Sequence, residues 1–174
     1  MVRIAILAED LYDELELHYP KFRLREEGYD VDIIGPKKGT SYEGKHGYPV
    51  VSGFSAAEVK ADDYDALIIP GGYSPDQLRR DPETVAFVRD MCTKGKLIGA
   101  ICHGGLVLKE AFDLSGKTMT CFLSITDELE QAGVKIVDKD VVVDGNLVTS
   151  RFAEDLPSFM KAFLDKLREI TESE

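Results

Sequence analysis

The sequence predicts an α/β fold in which a mostly parallel sheet lies between two layers of helices, as one domain over residues 1–174. Three observations predict it. Short apolar runs, RIAILA (3–8), ALIIP (66–70) and KLIGAI (96–101), have the length and composition of buried parallel strands. Each leads into a polar or glycine-rich stretch and then a segment of helical periodicity. No repeat or linker interrupts the alternation.

The elements follow in order. After the first strand, EDLYDE is a polar loop, and residues 15–27 carry Leu17, Phe22 and Leu24 at helical spacing. Pro20 is expected in the first turn of that helix, where its missing N–H is harmless, and Gly28 is expected to end it. VDIIG (31–35) is the second strand, and residues 36–53 form a loop or short hairpin. After ALIIP, GGYSPD breaks the chain, and residues 76–94 are helical, with Asp81-Pro82 as a fresh N-cap and first helical position. KLIGAI ends at Cys102, and 104–112 is a helix. KTMTCF (117–122) is expected to be a strand, and Thr126–Ala132 a helix closed by Gly133. VKIVD (134–138) and VVVDG (141–145) read as a hairpin or two adjacent strands, and NLVTS (146–150) as another strand. Residues 155–170 form an amphipathic closing helix with Leu156, Phe159, Phe163, Leu164 and Leu167 on its apolar side.

Composition narrows the function. A net charge of −11 argues against nucleic acid and anionic membrane as partners, since both need basic surface. The N-terminal apolar run is too short for a signal or membrane segment. Cys92, Cys102 and Cys121 are an odd number without CxxC spacing, so neither a disulfide framework nor a zinc site is expected, and a reducing cytoplasm is the simplest location. No metal cluster or phosphate loop is read, and no cofactor is expected.

Ligands in parallel α/β sheets bind beyond the C-terminal strand ends, which confines the search to residues 9–16, 71–76 and 102–105. KLIGAI running into Cys102-His103-Gly104 has the strand–turn–helix context and the small flanking residues of a nucleophile elbow, with cysteine as nucleophile. The N-terminus of the following helix is expected to lower the Cys102 pKa. His103 is either the general base of a Cys/His pair or points away. Its backbone N–H is the expected half of an oxyanion hole, and Gly71-Gly72 can bring a second donor. One carboxylate of the acidic run Glu9, Asp10, Asp13, Glu14, Glu16 can be held protonated beside the cysteine. Cys92 and Cys121 read as small hydrophobes, and His18 and His46 as surface or loop residues.

On these residues the chain resembles the ThiJ/PfpI family, on the branch of PfpI-type intracellular proteases also described as protein deglycases. The likeness runs through ELELHYPKFRLREEGYDV, GKHGYPV, YDALIIPGGYSPDQLRRD, KLIGAICHG and VVVDGNLVTSRFAEDLPSF. It implies a flavodoxin-like three-layer sandwich. It implies Cys102 as nucleophile, Glu16 as the carboxyl bonded to its sulfur, His103 beside it, and Gly72 with the His103 amide as oxyanion hole. Asp76 would complete a triad with His103 from a neighbouring subunit of a dimer or hexamer. Tyr48, Gly71 and Tyr73 would line the substrate pocket. Many relatives have proline at the position of Gly105, where it pre-sets the first helical turn. The functions left open are attack of Cys102 on glyoxal-derived adducts or small carbonyls, attack on peptides, and a non-catalytic redox sensor or stress chaperone that uses oxidation of Cys102.

Overall fold

The computed structural model describes residues 1–173. Eleven strands and six α-helices follow one another. The first half comprises β1 (Arg3–Leu7), α1 (Glu14–Glu26), β2 (Asp30–Gly35), the hairpin β3 (Ser41–Glu43) and β4 (Pro49–Val51), β5 (Phe54–Ser55), β6 (Ala66–Ile69), α2 (Ser74–Leu78) and α3 (Pro82–Thr93). The second half comprises β7 (Leu97–Ile101), α4 (Gly105–Ala111), β8 (Thr118–Met119), α5 (Thr126–Gln131), β9 (Lys135–Ile136), β10 (Val142–Asp144), β11 (Leu147–Ser150) and α6 (Leu156–Glu172).

The main sheet has seven strands in the order β10-β11-β7-β6-β1-β2-β5, all parallel except the β10–β11 pair. β6 is buried at every position, as a strand covered on both faces must be. One face packs on α1 and α6, through Leu17 and Leu24 of the first helix and Phe159, Met160, Phe163 and Leu167 of the last. The other packs on α2 to α5, through residues such as Leu78, Val88, Met91, Leu106 and Leu129. Full burial of one such side chain is worth roughly 1.5–3 kcal/mol. The three-layer α/β fold expected from the sequence is the one observed.

Several local expectations need correction. Asp13 caps α1, its carboxylate accepting from the N–H groups of Leu15 and Glu16, so the helix starts earlier and Pro20 falls in its interior. KTMTCF is strand only at Thr118–Met119, which pairs with β9 in a separate two-stranded sheet, and Cys121 lies beyond it. VKIVD and VVVDG do not pair: β9 joins β8, and β10 turns back on β11 through Gly145 and Asn146. A Gly-Asn pair between apolar runs is a two-residue hairpin signal. Asp81 caps α3 as expected, accepting from the Thr84 N–H, and Gly28 follows α1 at φ 85°.

Candidate active site

The C-terminal ends of β11, β7, β6 and β1 lie side by side along one edge, because those strands are consecutive in the sheet. β1 is where the strand order reverses, with β2 on one side and β6 on the other. The loops after β1 and β6 are tied together across that point. The Asp13 N–H donates to the Gly71 carbonyl (3.1 Å), and the Tyr73 N–H to the Leu11 carbonyl (2.8 Å). The loop after β7 begins at Cys102.

Cys102 has φ 58° in a one-turn 3-10 helix, Cys102–Gly104, that precedes α4. A non-glycine residue held there stores on the order of 1–3 kcal/mol, sustained by the packed strand before it. The buried sulfur accepts from the backbone N–H groups of Gly72 and His103. Gly72 itself has φ 80°, and a Cβ there would run into the backbone of Leu11, Tyr12 and Asp13. Gly71 is excluded from any side chain by close approach, since a Cβ would lie 2.5 Å from Glu16 Oε2 and 2.6 Å from Cys102 Cβ. Both glycines of PGG are therefore required by the site, one by conformation and one by space.

Glu16, in the first turn of α1, is 2% exposed, and its Oε2 accepts the Gly71 N–H at 2.7 Å. Its carboxyl also bonds the Cys102 sulfur. Burial, with the nearby charge of Asp13, raises its pKa to about 8, against the Gly71 and Cys102 hydrogen bonds, which favour the ionised form. Burial also pushes the Cys102 thiol up to about 12, and negative charge on Glu16 adds to the rise, against the pull of the two amides. The expected lowering by the helix N-terminus is overturned: α4 begins only at Gly105, and burial outweighs the local donors. Ionisation of Glu16 and ionisation of the thiol therefore oppose each other.

His103 points at the cysteine. Its Nδ1 lies 3.1 Å from Sγ, and its Nε2 3.0 Å from Ser124 Oγ. The ring stacks on Phe122, with centroids 5.2 Å apart. Burial, then the charge of Lys45, lowers its pKa, so the ring is neutral at pH 7. In the tautomer that donates Nε2–H to Ser124, Nδ1 faces the sulfur as a proton acceptor. The alternatives left open for His103 thus resolve to a ring in contact with the thiol.

The sulfur opens into a cavity of about 420 Å³ lined by Asp13, Glu16, Gly72, Tyr73, His103 and Phe122, among others. Two predicted residues lie elsewhere. Asp76 does not reach His103 within the chain: its carboxylate accepts from Arg79 (2.8 Å) and Arg80 (3.1 Å) of its own helical segment. Tyr48 is not in the cavity of this chain. The β3–β4 hairpin places it against His18, with ring centroids 4.9 Å apart, and its carbonyl accepts from Tyr12 Oη. His18, expected at the surface, is half-buried between Tyr12, Phe22 and Tyr48.

Sequence reasoning missed Lys45, Ser124, Phe152 and Glu154. Lys45 Nζ pairs with Asp13 at 2.8 Å and lines the cavity beside Phe152 and Glu154 from the loop after β11. That loop is itself a C-terminal strand end next to β7, a signal present in the predicted strand NLVTS once its place in the sheet is known. Among the described residues no cluster of His, Cys, Asp and Glu is arranged to hold a metal ion, and no helix is long and apolar enough to cross a membrane.

Comparison with known proteins bears on the family and the fold. The model of the DJ-1/PfpI family matches residues 2–166. Deglycase PfpI of Pyrococcus furiosus is 40% identical over 167 residues, covering 96% of this chain and 100% of that one. Among solved structures, a two-domain protein from Anabaena variabilis with DJ-1/ThiJ/PfpI-like and ferritin-like domains matches at TM-score 0.93 and 39% identity. That match covers 96% of this chain and 48% of the longer one. Schizosaccharomyces pombe DJ-1 matches at TM-score 0.82 and 28% identity, covering 99% and 98% of the two chains.

Proposed function

The chain belongs to the DJ-1/PfpI family, and from that premise we propose that it is a cysteine-dependent deglycase, which removes glyoxal-derived adducts from amines and turns over small dicarbonyls. The observation that carries the reading is convergence on one atom. Cys102 Sγ is met at once by the Gly72 and His103 amides, the Glu16 carboxyl and His103 Nδ1.

Each contact has a use. His103 Nδ1 accepts the thiol proton as the sulfur adds to an aldehyde carbon. The S–C bond forms and the carbonyl π pair moves onto oxygen. The two amides that face the sulfur in the free enzyme are within reach of that oxygen as it takes up charge. Glu16, protonated at neutral pH, is the acid that supplies a proton to oxygen, and then the base that moves one between adjacent carbons. The product is a thioester, which water hydrolyses to a hydroxy acid and the free thiol. With an amine adduct, the sulfur takes the carbon from nitrogen, and the amine leaves with a proton. Asp76 of a second copy is a candidate to orient His103, a role that Ser124 fills within the chain.

The wall beside the sulfur favours small adducts over folded peptide: Phe122 stacks on His103, and Glu16 and Gly71 close the floor. The test is lactate release from methylglyoxal and from its adduct on N-acetyl-lysine, run beside cleavage of unfolded casein. Turnover of the first two, lost in Cys102→Ala, is expected. Casein cleavage that depends on Cys102 with no lactate release would replace this reading with a peptidase. Peroxide oxidation at Cys102 without turnover of any carbonyl would replace it with a redox sensor.

A further inference from the structure

A second cavity of about 430 Å³ opens beside the first, and Phe122 and Phe152 line both. The two rings form a shared wall, so a chain lying across it occupies both spaces. The elements fix the arrangement: the Phe122 N–H donates to the Cys102 carbonyl (3.3 Å), which pins the 120–122 segment against the elbow.

The polar groups of this second cavity differ in how far they are satisfied. The Arg151 guanidinium is spent. Its Nε and Nη2 donate to Asp155 at 2.9 and 3.0 Å, and its Nη1 to Asp138 at 2.9 Å. Glu130, exposed on α5, has no side-chain hydrogen bond or ion pair among the described residues, and its charge is felt at Cys121. Thr120, 2% exposed, lies in the wall with its hydroxyl oxygen fully buried and out of reach of the cavity. Leu123 and Ile136 supply apolar wall. The cavity thus offers an apolar channel and one free carboxylate at its rim, a set that matches a long aliphatic stem ending in a cation.

We propose that this cavity is a specificity subsite for a lysine or arginine side chain next to the modified residue of a peptide or protein substrate. The stem lies along Phe122, Phe152 and Ile136, and the cationic head pairs with Glu130. The inference rests on the adduct-cleaving reading above and adds the class of substrate: proteins modified at basic clusters. Arg151 does not repel the head, because Asp155 and Asp138 already neutralise it.

The test is kcat/KM for lactate release from short peptides that carry one methylglyoxal adduct on lysine, with lysine, norleucine or glutamate as its neighbour. The lysine peptide should exceed the norleucine peptide about tenfold, equivalent to about 1.4 kcal/mol, with the glutamate peptide poorest. Glu130→Gln should reduce the lysine-to-norleucine ratio to about twofold and leave turnover of free methylglyoxal unchanged, since Glu130 touches neither the sulfur nor its partners. Equal kcat/KM for the lysine and norleucine peptides in the native enzyme would overturn the subsite and leave the deglycase reading standing. No turnover of any peptide would overturn both.

Discussion

Cys102 and Cys121 are both free, both buried, and sit in neighbouring segments at one edge of the sheet, yet they have different surroundings. Burial raises the pKa of each. Around Cys121 the thiol meets only Thr126 Oγ1, at 3.8 Å, with the Glu130 charge nearby. Around Cys102 two amides, a protonatable carboxyl and an imidazole face the sulfur. The difference lies in the backbone. β7 ends in a residue at φ 58°, which turns the side chain out of the sheet and up to the loops. The 120–122 segment continues extended, and its cysteine faces the apolar layer of α4 and α5. Burial alone makes an inert thiol; a strained turn that aims it at donors and a base makes a candidate nucleophile.

The strongest way to break that contrast is to delete each sulfur. Cys102→Ala should abolish lactate release, a fall of at least about 10³-fold, while Cys121→Ala should stay within about threefold. Loss of activity from Cys121→Ala at unchanged melting temperature would mean that the second thiol takes part. Next in size is Gly72→Ala. A Cβ at φ 80° against the Leu11–Asp13 backbone displaces the amide that faces the sulfur, so kcat should fall about 10²-fold, the loss typical of one oxyanion donor. Retained kcat would remove Gly72 from the oxyanion hole.

How much of this contrast was legible beforehand differs between the two segments. The elbow was readable because KLIGAI is a continuous apolar run, and such a run has few alternatives to a buried strand. PGG was readable as a turn, and the structure adds that one glycine serves conformation and the other space. The 117–122 run carries Thr and Phe, which favour strands, yet it does not form one throughout. Only two residues pair, because the segment has a partner only in the two-residue β9. Lys45, Ser124 and Glu154 escaped notice for another reason: their place at the site depends on strand order and hairpin packing, and neither leaves a local signal. The pKa of Cys102 was misjudged because a helix N-terminus is visible in a sequence and burial is not.

Glu16 sharpens the contrast through pH. Its pKa is about 8 when folded, against about 4.5 for an ordinary glutamate. The folded state therefore binds the proton more tightly. Its contribution to stability is fully present below about pH 4.5 and is lost as pH rises to about 8, at up to about 1.4 kcal/mol per unit. Glu16→Gln keeps an acceptor for the Gly71 N–H without a titrating charge, so its melting temperature should change less than that of the native protein between pH 5 and 8. Parallel curves would show that Glu16 is ionised in the folded state. In the native protein, Cys102 alkylation should rise only well above the pH of a free thiol, and Glu16→Gln, which removes the negative charge that adds to the shift, should move that rise down. The profile of Cys121 should stay unmoved.

The smallest expected effect concerns Gly105, the glycine that opens α4. Gly105 has φ −59° at the start of α4, which a proline ring matches, and an added Cβ would meet Leu129 Cδ1 at 3.2 Å, a contact a side-chain methyl relieves by a small shift. Against this, Gly104 before it is helical at φ −56° and ψ −28°, a region disfavoured ahead of proline, though least so for a residue without Cβ. The gain from a stiffer unfolded chain is about 0.4–1 kcal/mol, and the two local costs are of the same order. Gly105→Pro is therefore expected to change stability by less than about 1 kcal/mol in urea denaturation and to leave kcat within about twofold. A large loss of kcat would mean that the elbow needs motion at this glycine. An unchanged rate would mean that the strain at Cys102 is held from the strand side, by β7 and its neighbours, rather than by the helix that follows.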